Sequence, residues 1–330
     1  MRVAIDAMGG DNAPSEIVKG AVKAANSLEN VTIFLVGDRK RIEGIILEEV
    51  ASIPSNITII EATQVVGMDE KPAEALRKKP DSSVKKAADL MAKSEADAFI
   101  SAGNTGAAVA ATLLQCGLLE GVKRPGIGIS FKTDLGMKTI IDVGANINCK
   151  PIHLFQYAIM ASVYVSNLSG EKNPKVGLLN IGTEEPKGTN LIKETREMLE
   201  KSPLNFIGNI EGYDVHTGDC NVIVCEGFTG NVILKVTEGL AEAILLNLKR
   251  EVDASNLADN HPITQMINAL IKAYDYTEYG GAPLLGVKGA AMICHGRSDS
   301  KSIFNAVKAV QRFHSLNINS QFVEAIARFC

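Results

Sequence analysis

The 330-residue sequence has no tryptophan, only 5% aromatic residues and no excess of basic charge. Its formal net charge is −4, from 34 Lys and Arg against 38 Asp and Glu. Nucleic-acid-binding domains are usually basic, and many use aromatic side chains as platforms on which bases stack. We therefore expect no partner made of nucleic acid.

Cysteine pairs with metal-ligand spacing are also missing, because none of the six cysteines forms a C-x-x-C pair. Several lie in apolar runs, where a reduced cysteine packs as a small hydrophobic residue. We therefore favour free thiols over disulfides or zinc, and we expect no required metal. The six are Cys116, Cys149, Cys220, Cys225, Cys294 and Cys330.

Long apolar runs of the kind that cross membranes are absent as well. The uncharged stretches 99–119 and 151–170 contain Asn, Gln and His, and glycines stand at turn positions. The chain reads as a strand from its first residues, which leaves no room for a signal peptide. The expected location is the cytoplasm.

Short apolar segments rich in β-formers alternate with segments of helical spacing. This alternation is typical of a mostly parallel sheet with helices on both faces, and it predicts an α/β fold in three layers, an α/β/α sandwich. The predicted strands are 2–7, 31–37, 57–61, 97–101, 127–131, 138–142, 175–181, 205–210 and 221–225. The predicted helices are 39–50, 84–94, 105–117, 151–166, 189–201, 230–250, 300–315 and 319–329, with one more around 17–25.

No linker divides the chain, so we predict a single domain over 1–330. Within it, residues 230–278 are predicted to form a projecting helical hairpin. Apolar residues recur four apart between Val236 and Leu248, and a second stripe runs from Ile263 to Tyr274. Such stripes most often lie in a core or an oligomer interface. We place a dimer interface first, an acyl-chain groove second and a membrane surface third.

Glycine is abundant, with 29 residues, and it clusters directly after predicted strands. Ligands of open parallel sheets bind at the carboxyl ends of the strands, so we expect the loops to converge on one edge. Five loops follow this rule, at 6–11, 101–106, 142–146, 180–183 and 226–231.

Two of these loops share the pattern Gly-x-Thr-Gly, at 103–106 (GNTG) and 227–230 (GFTG). Each precedes a helix, whose first amides and dipole favour an anion. The competing interpretation is a plain turn in which glycine only permits a positive φ. Nucleotide signatures are missing: there is no G-x-G-x-x-G, and at 182–189 the lysine precedes the glycine. The pattern favours phosphate or a simple phosphorylated compound.

Six motifs in order resemble the bacterial phosphate acyltransferase family of phospholipid synthesis, the acyl-carrier-protein:phosphate transacylases. The resemblance covers essentially the whole chain. Its motifs are DAMGGD at 6–11, SAGNTGA at 101–107, DVGAN at 142–146, NIGTE at 180–184, GFTGN at 227–231 and YGGA at 279–282.

The resemblance implies that the chain moves a fatty acyl group from acyl-carrier protein to inorganic phosphate, without a cofactor. It also implies a fold similar to isocitrate and isopropylmalate dehydrogenases and to phosphotransacetylases. It further implies a homodimer at the inner membrane surface, beside a membrane acyltransferase that acts on glycerol 3-phosphate. The hairpin here is not strongly basic, which weakens membrane contact through charge.

In this reaction phosphate is the nucleophile, which agrees with the lack of a nucleophile motif. Lys187 and Asn231 match family positions, and we expect them to stabilise the oxyanion. The competing roles are a solvated loop lysine and a helix cap. The predicted phosphate-binding residues are Ser101, Gly103, Asn104, Thr105, Gly106, Gly227, Thr229 and Gly230. Further candidates are Asp6, Gly9, Gly10, Asp142, Asn146 and His295.

The segment 77–86 has five positive charges in an otherwise acidic chain. It is a docking surface for the acidic carrier protein, an approach path for phosphate, or a solvated helix face with a loop. Its cations are Arg77, Lys78, Lys79, Lys85 and Lys86.

Three other functions stay open at this point. The first is a phosphotransacetylase-like enzyme that uses acyl-coenzyme A, and the second is a non-catalytic scaffold for lipid enzymes at a membrane surface. The third, a dehydrogenase, is less attractive because the dinucleotide fingerprint is missing.

Overall fold

The computed structural model describes residues 1–255, 261–273 and 280–330. Its described strands all belong to one mixed sheet. The strands are β1 (Arg2–Asp6), β2 (Thr32–Gly37), β3 (Ile57–Glu61), β4 (Ala98–Ser101), β5 (Gly126–Thr133), β6 (Gly136–Ile141), β7 (Lys175–Leu179), β8 (Asn205–Ile210), β9 (Val222–Val224), β10 (Ala282–Leu285) and β11 (Ala290–Ile293). Their order across the sheet is β3-β2-β1-β4-β11-β10-β5-β6-β9-β7-β8.

The helices connect these strands and cover both faces of the sheet. They are α1 (Ser15–Ser27), α2 (Arg39–Glu49), α3 (Pro72–Lys78), α4 (Ser83–Ala92), α5 (Thr105–Cys116), α6 (Pro151–Ser169), α7 (Asn190–Glu200), α8 (Asp214–Thr217), α9 (Gly227–Ala254), α10 (Pro262–Ala273), α11 (Ser300–Ser315) and α12 (Ile318–Phe329). Apolar residues at helical spacing create the buried faces: α1, for example, buries Ile17, Val18, Ala21 and Val22.

Two apolar cores lie on the two faces of the sheet. On one face α1, α6, α11 and α12 pack over the strands, and on the other face α4, α5 and the start of α9 do so. Strands buried on both faces explain why the sequence shows continuous apolar runs rather than alternation. The predicted three-layer α/β/α fold with a mostly parallel sheet is confirmed.

Several short elements were not predicted. The strand β10 has only four residues, including Pro283, so its apolar signal is weak. The helix α3 lies within and before the basic segment, where polar residues obscure its two buried positions, Ala75 and Leu76. The helix α9 begins at Gly227, three residues before the predicted start.

The expectation that all glycine loops meet at one edge is wrong. The strand β10 runs antiparallel to both β11 and β5, and β5 runs antiparallel to β6. These three reversals turn β6, β9, β7 and β8 opposite to β3, β2, β1, β4 and β11. The carboxyl ends of β1, β4 and β11 therefore lie on the side of the sheet where these strands end, which we call the first edge. The carboxyl ends of β6, β9 and β7 lie on the opposite side, across the length of the strands, which we call the second edge.

The helix α9 connects the two edges, because it begins after β9 at the second edge and later contacts the loop after β11 at the first. The helices α9 and α10 occupy most of the predicted hairpin and contact each other. Residues 256–260 and 274–279 of the hairpin and of the YGGA motif lie outside the described residues. In the described ranges, the helices lack the combination of length and apolarity needed to cross a bilayer. The division of the chain into domains stays a prediction.

Candidate active site

The loops after β1, β4 and β11 meet at the first edge, and we call residues 6–12, 101–106 and 295–298 the first loop cluster. The amide of Asp11 donates to the Gly296 carbonyl at 2.7 Å. Gly9 lies so close to the next loop that a Cβ would stand 2.9 Å from the Gly103 Cα. Only glycine fits there, so the predicted residues Gly9, Gly10 and Gly103 act by letting three backbones approach one another.

Asp6 is a buried residue that holds this cluster together. Its carboxylate accepts from the Ser101 hydroxyl at 2.8 Å and from the Met8 amide at 3.3 Å. Burial raises the pKa of Asp6, and hydrogen bonds from serine hydroxyls oppose that rise. The single proton of the Ser101 hydroxyl is thus directed at Asp6, so Ser101 supports the loop and has no proton left to donate to a phosphate.

The start of α5 is open to an anion. Asn104 caps the helix, with its Oδ1 accepting from the Ala107 amide at 3.0 Å. Thr105 is exposed, and the amides of Thr105 and Gly106 have no acceptor in the described part of the chain. Free amides at a helix N-terminus, beside an exposed hydroxyl, offer hydrogen-bond donors to an anion.

The segment before α3 fixes this open turn in place. The Asn104 Nδ2 donates to the carbonyl oxygens of Met68 at 2.8 Å and Glu70 at 3.0 Å. Pro72, the first residue of α3, packs against Gly106. The basic segment is therefore attached to the wall of the first loop cluster.

Loops after β6, β7 and β9 form a second loop cluster, which we define as residues 142–146, 180–189 and 225–231. Asp142 is fully buried and accepts four backbone amides, at 2.8–3.1 Å, from Ile127, Gly144, Ala145 and Asn146. Burial raises the pKa of Asp142 against these hydrogen bonds. Asp142 therefore shapes its loop rather than facing a ligand.

Asn146 has a similar supporting role. Its Nδ2 donates to the Pro125 carbonyl at 2.6 Å and to the Tyr157 hydroxyl at 2.9 Å. Both partners belong to the wall behind the loop, and Tyr157 is buried. Asn146 therefore anchors the loop to α6.

The start of α9 differs from that of α5, because its amides already have acceptors. The Glu226 carboxylate accepts from the amides of Phe228 at 2.6 Å and Thr229 at 2.9 Å, and from the Thr229 hydroxyl. The Gly227 amide donates to the Asn146 carbonyl at 2.8 Å, and the Gly230 amide donates to the Glu226 carbonyl at 3.0 Å. The predicted phosphate-binding residues Gly227, Thr229 and Gly230 thus offer no free donor in this structure.

Asn231 lies in the second turn of α9 and not at its cap, which is Glu226. Its side chain is exposed and faces Gly144, with Oδ1 3.7 Å from the place of a Cβ on that glycine. Asn231 is thus available to a ligand beside the second loop cluster.

Lys187 lies in the loop between β7 and α7. Its Nζ is 2.7 Å from Glu184 Oε2, and its carbonyl accepts from Asn180 Nδ2 at 3.1 Å. The strands β6, β9 and β7 are neighbours and parallel, so Lys187 and Asn231 share the second edge. In the described chain no hydrogen bond joins the two side chains.

His295 contacts α9 through two residues that sequence reasoning missed. Its Nε2 lies 3.1 Å from Lys235 Nζ and 4.0 Å from Glu238 Oε2. Burial, followed by Lys235, lowers the pKa of His295. The available signal was the spacing, because Asn231, Lys235 and Glu238 fall on one helix face.

Three of the five cations in the basic segment form ion pairs with acidic residues in or just before the segment. Lys78 lies 3.7 Å from Glu74, and Lys79 and Lys86 pair with Glu70 and Asp81. Arg77 and Lys85 have no ion pair among the described residues. The local positive charge is therefore weaker than the sequence indicates.

Across the described ranges, no three His, Cys, Asp or Glu side chains come close enough to hold a metal ion. The six cysteines are all free, and burial raises the pKa of Cys294 to about 12. An unreactive, protonated thiol of this kind packs as a hydrophobic side chain.

Comparisons with known proteins show the family and the fold of the chain. A family model described as "Fatty acid synthesis protein" matches residues 1–321. The chain is 47% identical to a phosphate acyltransferase of Desulfitobacterium hafniense, over 99% of this chain and 97% of that protein. It is 45% identical to a phosphate acyltransferase of Heliobacterium modesticaldum, over 99% and 96%. Among solved structures, a phosphotransacetylase from Streptococcus pyogenes has a similar fold, with a TM-score of 0.63 at 14% identity over 95% and 94% of the two chains.

Proposed function

The chain belongs to the fatty acid synthesis protein family of phosphate acyltransferases, and we propose that it transfers a long-chain fatty acyl group from acyl-carrier protein to inorganic phosphate. The observation that carries the acceptor half of this proposal is the open start of α5. It offers an exposed hydroxyl and two free amides to an anion, while the chain lacks the motifs of nucleotide binding.

The proposed chemistry needs no covalent intermediate on the protein. A phosphate oxygen attacks the thioester carbonyl carbon, an oxyanion forms, and the carbon–sulfur bond breaks. The phosphate hydroxyl loses its proton, and the leaving thiolate takes one up, so that acyl phosphate and a free thiol result. A thiolate of pKa about 8.5 leaves readily, so the protein must mainly align phosphate and stabilise the oxyanion.

The two loop clusters divide these tasks in our proposal. Thr105 and Gly106 bind the phosphate through amides, which hold the anion without neutralising it fully. Lys187 and Asn231 supply the donors to the oxyanion, and α9 brings Asn231 towards the phosphate, because Lys235, one turn later, contacts His295 of the first loop cluster. Lys187 reaches this role by leaving Glu184, and an exposed pair of this kind contributes less than about 1 kcal/mol.

The carrier protein is proposed to dock on the basic segment. That segment is joined to the first loop cluster through the hydrogen bonds of Asn104 and the contact of Pro72 with Gly106. Arg77 and Lys85 are the cations that stay available to an acidic partner. The docked carrier would present its thioester beside the proposed phosphate site.

The homodimer is proposed on the exposed apolar face of α9. Five side chains four residues apart leave 45–65% of their surface exposed in the single chain. A stripe of this size is typical of an oligomer interface. Its members are Phe228, Val232, Val236, Leu240 and Ile244.

The product determines where the protein is proposed to work. An acyl phosphate is a reactive anhydride, so a membrane acyltransferase for glycerol 3-phosphate close to this chain would use it before water does. We therefore propose a cytoplasmic protein that contacts the inner face of the membrane peripherally.

One assay tests the function. The purified chain is incubated with phosphate and either long-chain acyl-carrier protein or acyl-coenzyme A, and acyl phosphate is measured. We expect product with acyl-carrier protein and a much lower rate with acyl-coenzyme A. Product from acyl-coenzyme A alone would favour a phosphotransacetylase. No product from either donor would contradict the proposal and favour a scaffold. If the chain then reacts with NAD and a hydroxy acid, it would be a dehydrogenase.

A further inference from the structure

A charged cluster lies where α9 passes the loop after β11, and the function proposed above assigns no task to its two α9 residues. Lys235 Nζ lies 2.8 Å from Glu238 Oε2 and 3.1 Å from His295 Nε2. The Glu238 carboxylate is 4.0 Å from the same ring nitrogen. We call Lys235, Glu238 and His295 the Lys235 cluster.

This cluster borders the first loop cluster. His295 is followed by Gly296, whose carbonyl accepts the Asp11 amide at 2.7 Å and packs beside Gly10. Gly10 in turn packs against Ala102, two residues before the cap of α5. The strands β11 and β4 are parallel neighbours, about 4.8 Å apart, so the start of α5 is one strand away.

Lys235 is also available to a dissolved anion. Its side chain is 51% exposed. An ammonium group has three N–H donors: Glu238 accepts one of them, and a second faces the His295 ring, whose Nδ1 already accepts the Arg297 amide at 3.2 Å. The third has no acceptor within the part of the chain that the structure describes, so an anion can bind there without displacing a partner.

The open turn of α5 needs such a cation. A helix N-terminus supplies only about half a positive charge, whereas phosphate near neutral pH is largely dianionic. Lys187 is paired with Glu184 and is already assigned to the oxyanion. Within the first loop cluster Arg297 lies 3.6 Å from Glu242, whereas the Lys235 ammonium lies 3.1 Å from His295 and keeps an N–H donor for an anion.

We propose that Lys235 is a substrate-binding residue whose ammonium group contacts the phosphate at the start of α5, while Glu238 and His295 are positioning residues that aim it. This inference rests on the proposed function, because it names the cation for the phosphate of that reaction. Glu238 holds the ammonium electrostatically, and His295 fixes its direction from the neighbouring edge loop.

Steady-state kinetics of Lys235→Met test the proposal. We expect the KM for phosphate to rise by about 10- to 100-fold, the loss typical of a charge-assisted hydrogen bond, and the KM for the acyl donor to stay within about twofold. Lys235→Arg keeps the charge and should recover most of the phosphate affinity. Glu238→Gln keeps the shape but frees the ammonium, and should raise the KM for phosphate by a smaller factor. The matched control is Lys249→Met, an exposed lysine further along α9, which should change nothing.

An unchanged KM for phosphate in Lys235→Met overturns the proposal, and so does an equal rise in both KM values. Thermal melting of each variant separates these results from unfolding, and Glu238→Gln decides the question if Lys235→Met does not fold.

Calorimetric titration with inorganic phosphate alone separates this inference from the proposed function. If the wild-type chain binds phosphate but makes no acyl phosphate, the proposed function fails, and weaker binding by Lys235→Met still supports the site. If Lys235→Met binds phosphate as the wild type does, the Lys235 site fails even when the enzyme is active. If the wild type neither binds phosphate nor reacts, the proposal is overturned.

Discussion

The starts of α5 and α9 share the four-residue pattern Gly-x-Thr-Gly, yet they differ in what they can bind. At α5 the cap is Asn104, and the pattern's threonine is the first helical residue. At α9 the cap is Glu226, and the threonine is the third helical residue. The same letters therefore stand two positions apart relative to the helix start.

The cap residue decides the outcome. A neutral Asn104 accepts one amide, that of Ala107, and leaves those of Thr105 and Gly106 open. The Glu226 carboxylate accepts the amides of Phe228 and Thr229 and places a negative charge where an anion would approach. One helix start thus has amides open to an anion, and the other is a closed turn that shapes the loop beside Asn231.

The largest expected effect separates the tasks of the two edges. Lys187→Ala should lower kcat by about 10²- to 10³-fold, the loss typical of a missing oxyanion donor. The KM for phosphate should change little, because phosphate is proposed to bind at the first edge. Steady-state kinetics with Lys193→Ala, an exposed lysine of α7, as the control will measure both constants. Normal turnover in Lys187→Ala would remove this residue from the mechanism.

A smaller effect tests the open turn itself. Thr105→Asp places a carboxylate beside the free amides, so phosphate must compete with a tethered anion. We expect the KM for phosphate to rise at least about tenfold, while the negative charge at the helix start stabilises the fold by about 0.3–1 kcal/mol. Thr105→Ser keeps the hydroxyl and serves as the control. A variant that melts higher yet binds phosphate normally would contradict the open-turn account.

The closed turn should respond in the opposite manner. Glu226→Ala removes the cap of α9, which should cost about 0.5–2 kcal/mol of unfolding free energy. Urea denaturation measures this loss, and the KM for phosphate should stay within about twofold. If Glu226→Ala changes the affinity for phosphate more than Thr105→Asp does, phosphate does not bind preferentially at the start of α5.

The sequence predicts the layers and most elements because these depend on local periodicity. It predicts the wrong arrangement of the glycine loops because strand direction depends on tertiary pairing. The two antiparallel pairings of β10 cancel, so that β5 runs in the same direction as β11, and it is the antiparallel pairing of β5 with β6 that reverses the rest of the sheet. The alternation of strands and helices along the chain favoured a parallel sheet whose glycine loops all meet at one edge. The three antiparallel pairings exclude that arrangement.

The candidate site shows the same limit at the level of residues. The anion pattern at 103–106 can be found from the sequence, and so can Asn231. The role of Glu226 as a competing carboxylate depends on where α9 begins, which the sequence places three residues too late. Lys235 gains its partner His295 only because a long helix crosses to the opposite edge, 60 residues away in the chain.

The smallest expected effect concerns carrier docking beside the open turn. Reversing the charges of Arg77 and Lys85 to Glu should raise the KM for acyl-carrier protein by a few fold, since rim charges mainly steer association. The KM for phosphate should not change. The matched control is the double reversal of Lys172 and Lys193 to Glu, because both lysines are exposed and lie outside the segment. An unaltered KM for the carrier, also at low salt, would assign the segment to a solvated surface.

Phosphate binding at the start of α5, and not at the start of α9, is tested most directly by titrating inorganic phosphate into ¹⁵N-labelled protein and following the amide signals by NMR. We predict that the amide signals of Thr105 and Gly106 shift and saturate together, while those of Phe228 and Thr229 stay in place. Saturable shifts at Phe228 and Thr229, with none at Thr105 and Gly106, would contradict the account.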